Sequence, residues 1–300
     1  MTRKAWTKGL AASWIVALAA CGGGGNGGAG EDTGGEAGAA AGGDAAAPAV
    51  DPATAATIRG VVTYEGVSPT MTEIDMSEEP VCAEKYPTDR PMTEQVVSAD
   101  GRLANAFVYV KEGLAGEWPA PAEPAALDQV GCRYDPHILG LQAGQTLLIT
   151  NSDAVLHNIN TQPTANRGFN ISQPQAGMVS HREFSRAEVM IPVKCDVHGW
   201  MHAFLGIVDH PYHAVSLADG TFEIASLPPG TYTIEAWHEV YGTMSQEVIV
   251  GDSETAEVAF AYSADMASAD VPMAEPLVLT HGPDDGHEAA HGAGNAGADR

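Results

Sequence analysis

The sequence predicts an all-β protein, and two observations lead to this expectation. Between residues 57 and 262, short runs of Val, Ile, Thr, Phe and Tyr alternate with Gly, Pro, Asn and Asp, which is the pattern of strands joined by turns. The same region shows no long stretch of helical periodicity. The predicted strands, whose spacing suits a sandwich or a barrel, are 58–64, 106–110, 145–150, 157–161, 188–193 and 204–208.

An export signal is predicted at the start of the 300-residue chain. Three basic residues precede an apolar run over residues 10–20, which is too short to span a bilayer as a helix. The run ends in Leu-Ala-Ala-Cys, which resembles the lipobox of bacterial lipoproteins. We therefore expect residues 1–20 to be a lipoprotein signal peptide. Cys21 would then carry a lipid that anchors the protein in the cell envelope, facing the periplasm or, at the outer membrane, the cell surface. An ordinary signal peptide with a chance cysteine is the alternative.

Two segments are predicted to flank the folded part as disordered chain. Residues 21–56 consist almost entirely of Gly, Ala and acidic residues with a few Pro, and this composition predicts a flexible linker. Residues 263–300 are poor in branched and aromatic side chains and carry His281, His287 and His291, which predicts a disordered histidine-containing tail. About 200 residues remain for one or two folded domains.

Charge and motifs exclude several classes of function. The formal net charge is −25, which disfavours binding to nucleic acid. The chain has no Ser-His-Asp order, no paired carboxylates in a credible setting, no glycine-rich phosphate loop and no Cys-x-x-Cys-His haem attachment motif. We therefore expect a protein that is not an enzyme.

The cysteine count gives the first indication of a metal site. Lipidation would use Cys21 and leave Cys82, Cys132 and Cys195 in an oxidising compartment. Three thiols cannot all pair within one chain. One of them must therefore bind a metal, form an intermolecular bridge or be deeply buried.

A seven-residue motif combines three soft metal ligands. The sequence Cys-Asp-Val-His-Gly-Trp-Met at 195–201 places a thiolate, an imidazole and a thioether at positions i, i+3 and i+6 after a predicted strand. A tight loop can turn all three toward one point, and a thiolate with imidazoles and a weak axial methionine favours copper over hard cations. A second imidazole is available from His157, which starts a predicted strand 38 residues before Cys195.

This ligand set resembles that of the cupredoxins, the type 1 blue-copper proteins, and the loop is most similar to that of amicyanin and plastocyanin-like domains. Asn158 follows the first histidine, as is common in the family, where it supports the site from behind the ligands. The resemblance covers about residues 140–208. It implies a Greek-key β-sandwich with one copper ion, in which His157 and His198 supply nitrogens, Cys195 the strong thiolate and Met201 a long axial contact. The residues Val-Lys before Cys195 and a long insertion over about 72–129 depart from the family pattern.

The resemblance also implies a function and a disulfide. The copper would cycle between Cu(I) and Cu(II), and exported redox proteins such as c-type cytochromes or copper oxidases would dock near the exposed edge of His198. With Cys195 on the metal, Cys82 and Cys132 are predicted to form a disulfide that stabilises the fold by about 3–4 kcal/mol. Two buried free thiols are the alternative.

A second β-domain is predicted after the metal-binding region. Residues 211–262 contain Asp-Gly and Pro-Pro-Gly-Thr-Tyr turn signals and resemble the small prealbumin-like sandwich of the carboxypeptidase regulatory-like family. We assign residues 57–210 to the copper domain. The sequence leaves open to which of the two sandwiches the stretch 58–67 belongs.

Several alternatives remain open at this point. The Cys-His-Met motif can be a chance grouping of core residues, and zinc also binds Cys and His, although methionine is an unusual zinc ligand. The protein can store or deliver copper without transferring electrons, or it can be a carbohydrate-type binding module of the cell envelope. A second metal site could be formed by histidines near the domain junction, namely His202, His210, His213 and His238.

Overall fold

The computed structural model describes residues 50–267 apart from positions 95 and 97. The predicted signal peptide, the lipidation site Cys21, nearly all of the predicted linker and most of the predicted tail lie outside the described residues. Among the described residues, no helix is long and apolar enough to cross a membrane.

The described chain is built almost entirely from strands, which confirms the all-β prediction. It contains one short helix, α1 (Pro80–Ala83), and a 3-10 turn at Ala264–Met266. All six predicted strands are present, with shifts of at most a few residues at their ends. The strands are β1 (Ala56–Glu65), β2 (Ser98–Ala99), β3 (Arg102–Leu103), β4 (Phe107–Glu112), β5 (Ala125–Val130), β6 (Arg133–Asp135), β7 (Ile138–Gln142), β8 (Thr146–Asn151), β9 (His157–Thr161), β10 (Asn170–Gln173), β11 (Met178–Glu183), β12 (Glu188–Lys194), β13 (His202–Val208), β14 (His213–Val215), β15 (Thr221–Leu227), β16 (Gly230–His238), β17 (Gly242–Val250) and β18 (Thr255–Ser263).

Two sheets from the middle of the chain pack face to face and form the first sandwich. One sheet has the strand order β10-β9-β12-β13-β7 and the other β11-β8-β5-β6. Alternate side chains of each strand point inward, so Leu127 and Ile149 of one sheet meet Ile159 and Leu205 of the other in a single buried cluster. Cys195 and Met201 belong to this same cluster.

The second sandwich takes strands from both ends of the described chain. β1 pairs antiparallel with β15 and parallel with β18, while β4 pairs with β14 and β16. Residues from both of these sheets, including Ile58 and Val108, share one buried cluster. The stretch that the sequence left open therefore belongs with the C-terminal strands.

The strand pairing thus does not follow a division of the chain into two domains at residue 210. The first sandwich is inserted between β4 and β14 of the second, because β1 pairs with β15 and β18, and β4 with β14 and β16, all more than 100 residues further along the chain. Local patterns predict that a segment is a strand, but they do not specify a distant partner. The resemblance of the C-terminal strands to the carboxypeptidase regulatory-like family stays a prediction.

Candidate metal centre

The candidate ligands meet at one end of the first sandwich because β9 and β12 are neighbours in the same sheet. Thr161 pairs with Val193 and Asn160 with Lys194. His157 opens β9, and the loop from Cys195 to Met201 connects β12 to β13. Residues 38 positions apart in the sequence are thereby brought to one edge.

Three donor atoms converge there, with the geometry of a small metal site. His157 Nδ1 lies 2.9 Å from His198 Nδ1, and Cys195 Sγ lies 3.9 Å from the same His198 nitrogen. One donor atom from each of these residues falls within 4.8 Å of the others. Metal–nitrogen bonds of about 2.0 Å and metal–sulfur bonds of about 2.3 Å place the ligand atoms of a three-coordinate site about 3–4 Å apart. The residues present therefore fit an ion held between two imidazoles and a thiolate.

The tautomer of His157 is set by Asp153. His157 Nε2 lies 3.0 Å from Asp153 Oδ2, and a carboxylate accepts but does not donate, so this nitrogen carries the proton. The lone pair of His157 is then on Nδ1, which faces His198. Burial opposes the charged form of His157, but the contacts with Asp153 and Cys195 outweigh it and raise the pKa of the imidazole.

Asp153 is itself a buried and fully engaged carboxylate. It is 1% exposed, accepts hydrogen bonds from the backbone N–H of Gly131 and Cys132, and pairs with Lys85 Nζ at 2.7 Å. Burial alone would raise its pKa, but the hydrogen bonds from His157 and Lys85 outweigh burial and hold the pKa of Asp153 well below its usual range. The carboxylate is therefore ionised throughout the physiological range.

Cys195 is a buried free thiol that is prepared to ionise. It is 3% exposed, and its Sγ accepts from the backbone N–H of His198 at 3.4 Å. Burial by itself would raise the pKa of the thiol, but the contacts with His157 and His198 outweigh burial and lower the pKa of Cys195 to about 6. Near neutral pH the sulfur is thus largely a thiolate, the form that binds metal.

Asn158 ties the first ligand strand to the cysteine loop. Its Oδ1 accepts from the backbone N–H of Asp196 at 2.6 Å and lies 3.2 Å from Cys195 Sγ. Its Nδ2 donates to Asp196 Oδ2 at 3.0 Å and to Asn170 Oδ1 at 2.8 Å. The structure therefore places Asn158 behind the ligands, bridging β9, β10 and the loop.

The loop that carries Met201 is closed by its own backbone. The backbone N–H of Met201 donates to His198 O at 2.9 Å, and the N–H of Cys195 donates to Met201 O at 3.0 Å. Met201 is 1% exposed and packs in the buried cluster that also contains Cys195. The loop is thus a compact turn in which the thioether is enclosed with the thiol.

A disulfide covers the centre from the side of the insertion. Cys82 of α1 is joined to Cys132, and Cys82 Sγ lies 3.9 Å from His198 Nε2. Trp200 Nε1 donates to Cys132 O at 2.9 Å, and the Trp200 ring lies 5.0 Å from that of His198. His198 is consequently only 2% exposed. The expected exposed edge of His198 is absent, because α1 of the insertion covers this imidazole, and the docking of redox partners stays a prediction.

Solved structures similar to this chain include cupredoxins. A purple cupredoxin from Nitrosopumilus maritimus is 21% identical, with a TM-score of 0.25, over 28% of this chain and 99% of its own. A mutant of amicyanin in its Cu(I) form is 16% identical, with a TM-score of 0.26, over 34% of this chain and 98% of its own. A copper-containing nitrite reductase from Thermus scotoductus is 13% identical, with a TM-score of 0.27, over 49% of this chain but only 28% of the reductase. Neither protein-family models nor curated protein sequences give a match.

The four histidines considered for a second site have separate environments. His210 Nε2 donates to Val110 O, the ring of His213 packs 5.6 Å from that of Phe107, and His238 is fully buried. Among the described residues, His202 is the one of the four that falls in a group of potential metal ligands. Its neighbours there are His137 and Glu239, neither of which the sequence singled out.

Sequence reasoning also missed the groups that hold the ligands in place. Asp153 is not among the predicted site residues, although its position four residues before His157 is a usable signal. Lys85 lies in the insertion, and no local pattern connects it with Asp153. Tyr134, whose hydroxyl donates to Asn158 O, likewise reaches the site from a distant strand.

Proposed function

We propose that this protein binds one copper ion between His157, Cys195 and His198, with Met201 as the axial ligand, and carries single electrons. The observation that carries this proposal is the convergence of two Nδ1 atoms and an easily ionised thiol in a buried site. When bound, copper would supply the exchange between Cu(I) and Cu(II).

The donor set supports copper over other metals. Two imidazoles and a thiolate, with a thioether beside them, form the soft trigonal set that suits copper, whereas Mg²⁺ and Ca²⁺ prefer oxygen ligands. Zinc would accept the thiolate and the imidazoles, but structural zinc sites are completed by a further Cys or His rather than by methionine.

The enclosure of the site supports a carrier that is not an enzyme. His157, Cys195 and His198 are each at most 3% exposed, so the described residues leave a substrate no route to the metal. An electron needs no such route. The same enclosure argues against copper delivery, since the ion could leave only if the disulfide-linked cover moved away.

The protein's own groups would keep the ligands in one arrangement during electron transfer. Asp153 holds the ring and the tautomer of His157, and Asn158 ties Cys195 to β9. Met201 and Cys195 are linked through their backbones. Ligands held in this way move little when the charge of the metal changes, which keeps the barrier to electron exchange low.

We propose further that the protein works in the cell envelope, attached through a lipid on Cys21. The disulfide between Cys82 and Cys132 supports an oxidising compartment, as does the predicted export signal. Its partners would be exported redox proteins such as c-type cytochromes or copper oxidases. Because His198 is covered, a partner would receive the electron through the segment around α1 rather than at a bare imidazole.

A visible spectrum of the Cu(II)-loaded protein tests the proposed centre. We expect an intense thiolate-to-copper charge-transfer band that is absent in Cys195→Ser. Met201→Leu should shift this band, whereas Met76→Leu, which alters an equally buried methionine of the same cluster, should leave it unchanged. A colourless Cu(II) complex would contradict the proposed centre. Coloured copper that fails to cycle reversibly in voltammetry would leave storage as the function instead.

A further inference from the structure

Three side chains meet at the junction of the two sandwiches, and none of them is a proposed copper ligand, although His202 directly follows Met201. His137 lies between β6 and β7, His202 opens β13, and Glu239 lies in the turn between β16 and β17. His137 Nε2 is 2.7 Å from Glu239 Oε1, and His202 Nε2 is 3.8 Å from Glu239 Oε2. Their donor atoms all lie within 4.8 Å of one another.

Both imidazoles are oriented by main-chain carbonyl groups. His137 Nδ1 lies 3.2 Å from the carbonyl oxygen of His202, and His202 Nδ1 lies 3.2 Å from that of Trp200. A carbonyl oxygen only accepts, so each Nδ1 carries a proton. In the neutral imidazoles the lone pairs are therefore on the two Nε2 atoms, and both Nε2 atoms lie close to Glu239. Metal-binding histidines in proteins are commonly oriented in this way, with the second ring nitrogen donating to a carbonyl or a carboxylate.

With both imidazoles neutral, the cluster joins three acceptors and no donor lies between them. Glu239 is 5% exposed, and a buried carboxylate needs a compensating positive charge. Arg133 pairs with Glu94, whose other oxygen is 3.3 Å from His137 Nδ1. A cation bound between the two Nε2 atoms would supply this charge to Glu239.

We propose that His137, His202 and Glu239 bind a divalent transition-metal ion, Zn²⁺ or Cu²⁺, that links the two sandwiches. Two imidazoles and one carboxylate are the ligands of mononuclear zinc sites and also suit Cu²⁺, whereas Ca²⁺ and Mg²⁺ would take oxygen ligands. The ion would connect β7 and β13 of the first sandwich to the β16–β17 turn of the second. This inference stands independently of the proposed copper centre.

Zinc binding by variants of the full chain tests the site. Every protein compared carries Cys195→Ser, which disables the copper centre, and His281→Asn, His287→Asn and His291→Asn, which remove the histidines of the tail. In this background we expect chelator competition to show one Zn²⁺ site, which Glu239→Gln weakens by at least tenfold. Glu247→Gln, an exposed change on the neighbouring β17, is the control and should bind Zn²⁺ like the background protein.

Anomalous diffraction at the zinc edge gives a second measurement that does not depend on affinity. A crystal soaked in Zn²⁺ should show a peak between the two Nε2 atoms and the Glu239 carboxylate. If instead the cluster is a buried ion pair between protonated His137 and Glu239, Glu239→Gln will lower the melting temperature without changing zinc affinity, and no peak will be found between these residues. Either of those two results overturns the proposal.

Discussion

Removing the negative charge of Asp153 should raise the reduction potential of the proposed copper centre and weaken its hold on Cu(II). Asp153→Asn keeps the shape of the side chain but replaces a carboxylate oxygen with an NH₂ group. The carboxylate is surrounded by donors, namely the ring N–H of His157, the ammonium of Lys85 and two backbone N–H groups. An amide at this position therefore sets a donor against a donor and lets the imidazole of His157 turn.

The size of the effect follows from charge and distance. A metal bound to Nδ1 of His157 would lie about 6 Å from the carboxylate, where one unit charge contributes about 3 kcal/mol at an effective dielectric constant of about 20. Lys85 opposes part of this interaction, which leaves on the order of 1–2 kcal/mol in favour of Cu(II). The potential should accordingly rise by about 40–90 mV. Affinity for Cu(II) should fall by about 10–100-fold, as is usual when a group that supports a metal ligand is lost.

Protein-film voltammetry and chelator competition measure the two quantities. Asp128→Asn is the matched control, because it makes the same change in net charge at a carboxylate that accepts from Ser152 Oγ. Near-ultraviolet circular dichroism should show that both variants remain folded. If folded Asp153→Asn has the potential and the affinity of the wild type, the tautomer and charge of His157 are not controlled by Asp153.

Three further predictions concern stability and protonation. Replacing both Cys82 and Cys132 by Ser should lower the free energy of unfolding by about 3–4 kcal/mol in urea titrations and expose His198. Unchanged stability would contradict the stabilising role of this disulfide. In the metal-free protein the pKa of Cys195 is lowered from 9.0 to about 6. The thiolate therefore adds stability that is complete above pH 9.0 and is lost as the pH falls through about 6, so the stability of the wild type relative to Cys195→Ser should increase with pH across this window in denaturant titrations. Gly206→Ala should lower the free energy of unfolding by about 1–3 kcal/mol in thermal unfolding, because the added Cβ would lie 2.6 Å from the Phe107 ring. The control is Gly199→Ala, whose Cβ meets nothing within 4 Å. Equal losses in the two variants would contradict the explanation.

Much of the fold and the candidate ligand set could be predicted from local patterns. β9 begins and ends at the predicted residues, and β12 differs from its prediction by one residue. The alternation of apolar and polar side chains and the presence of turn residues involve only a few neighbouring positions, so both can be recognised in the sequence without a structure. The spacing within the loop from Cys195 to Met201 is equally local, which is why its three candidate ligands could be named together.

Contacts between distant segments could not be predicted in this way. Three features join residues that no common sequence pattern relates. They are the disulfide over His198, the pairing of Lys85 with Asp153 and the inclusion of β1 in the C-terminal sandwich. The expectation of an exposed His198 failed for this reason. The insertion was recognised as unusual in length, but its position against the ligand follows from the disulfide and from the packing of α1.

The sequence by itself therefore determined the all-β class, the strand positions and a soft ligand set in which one cysteine was left without a partner. Tertiary structure alone decided how these parts meet: which carboxylate orients His157, what covers His198, and that His137, His202 and Glu239 share one buried junction. The physical reason is that side-chain periodicity is encoded over a few residues. Burial and electrostatic partners, by contrast, depend on which strands close against each other across more than a hundred residues.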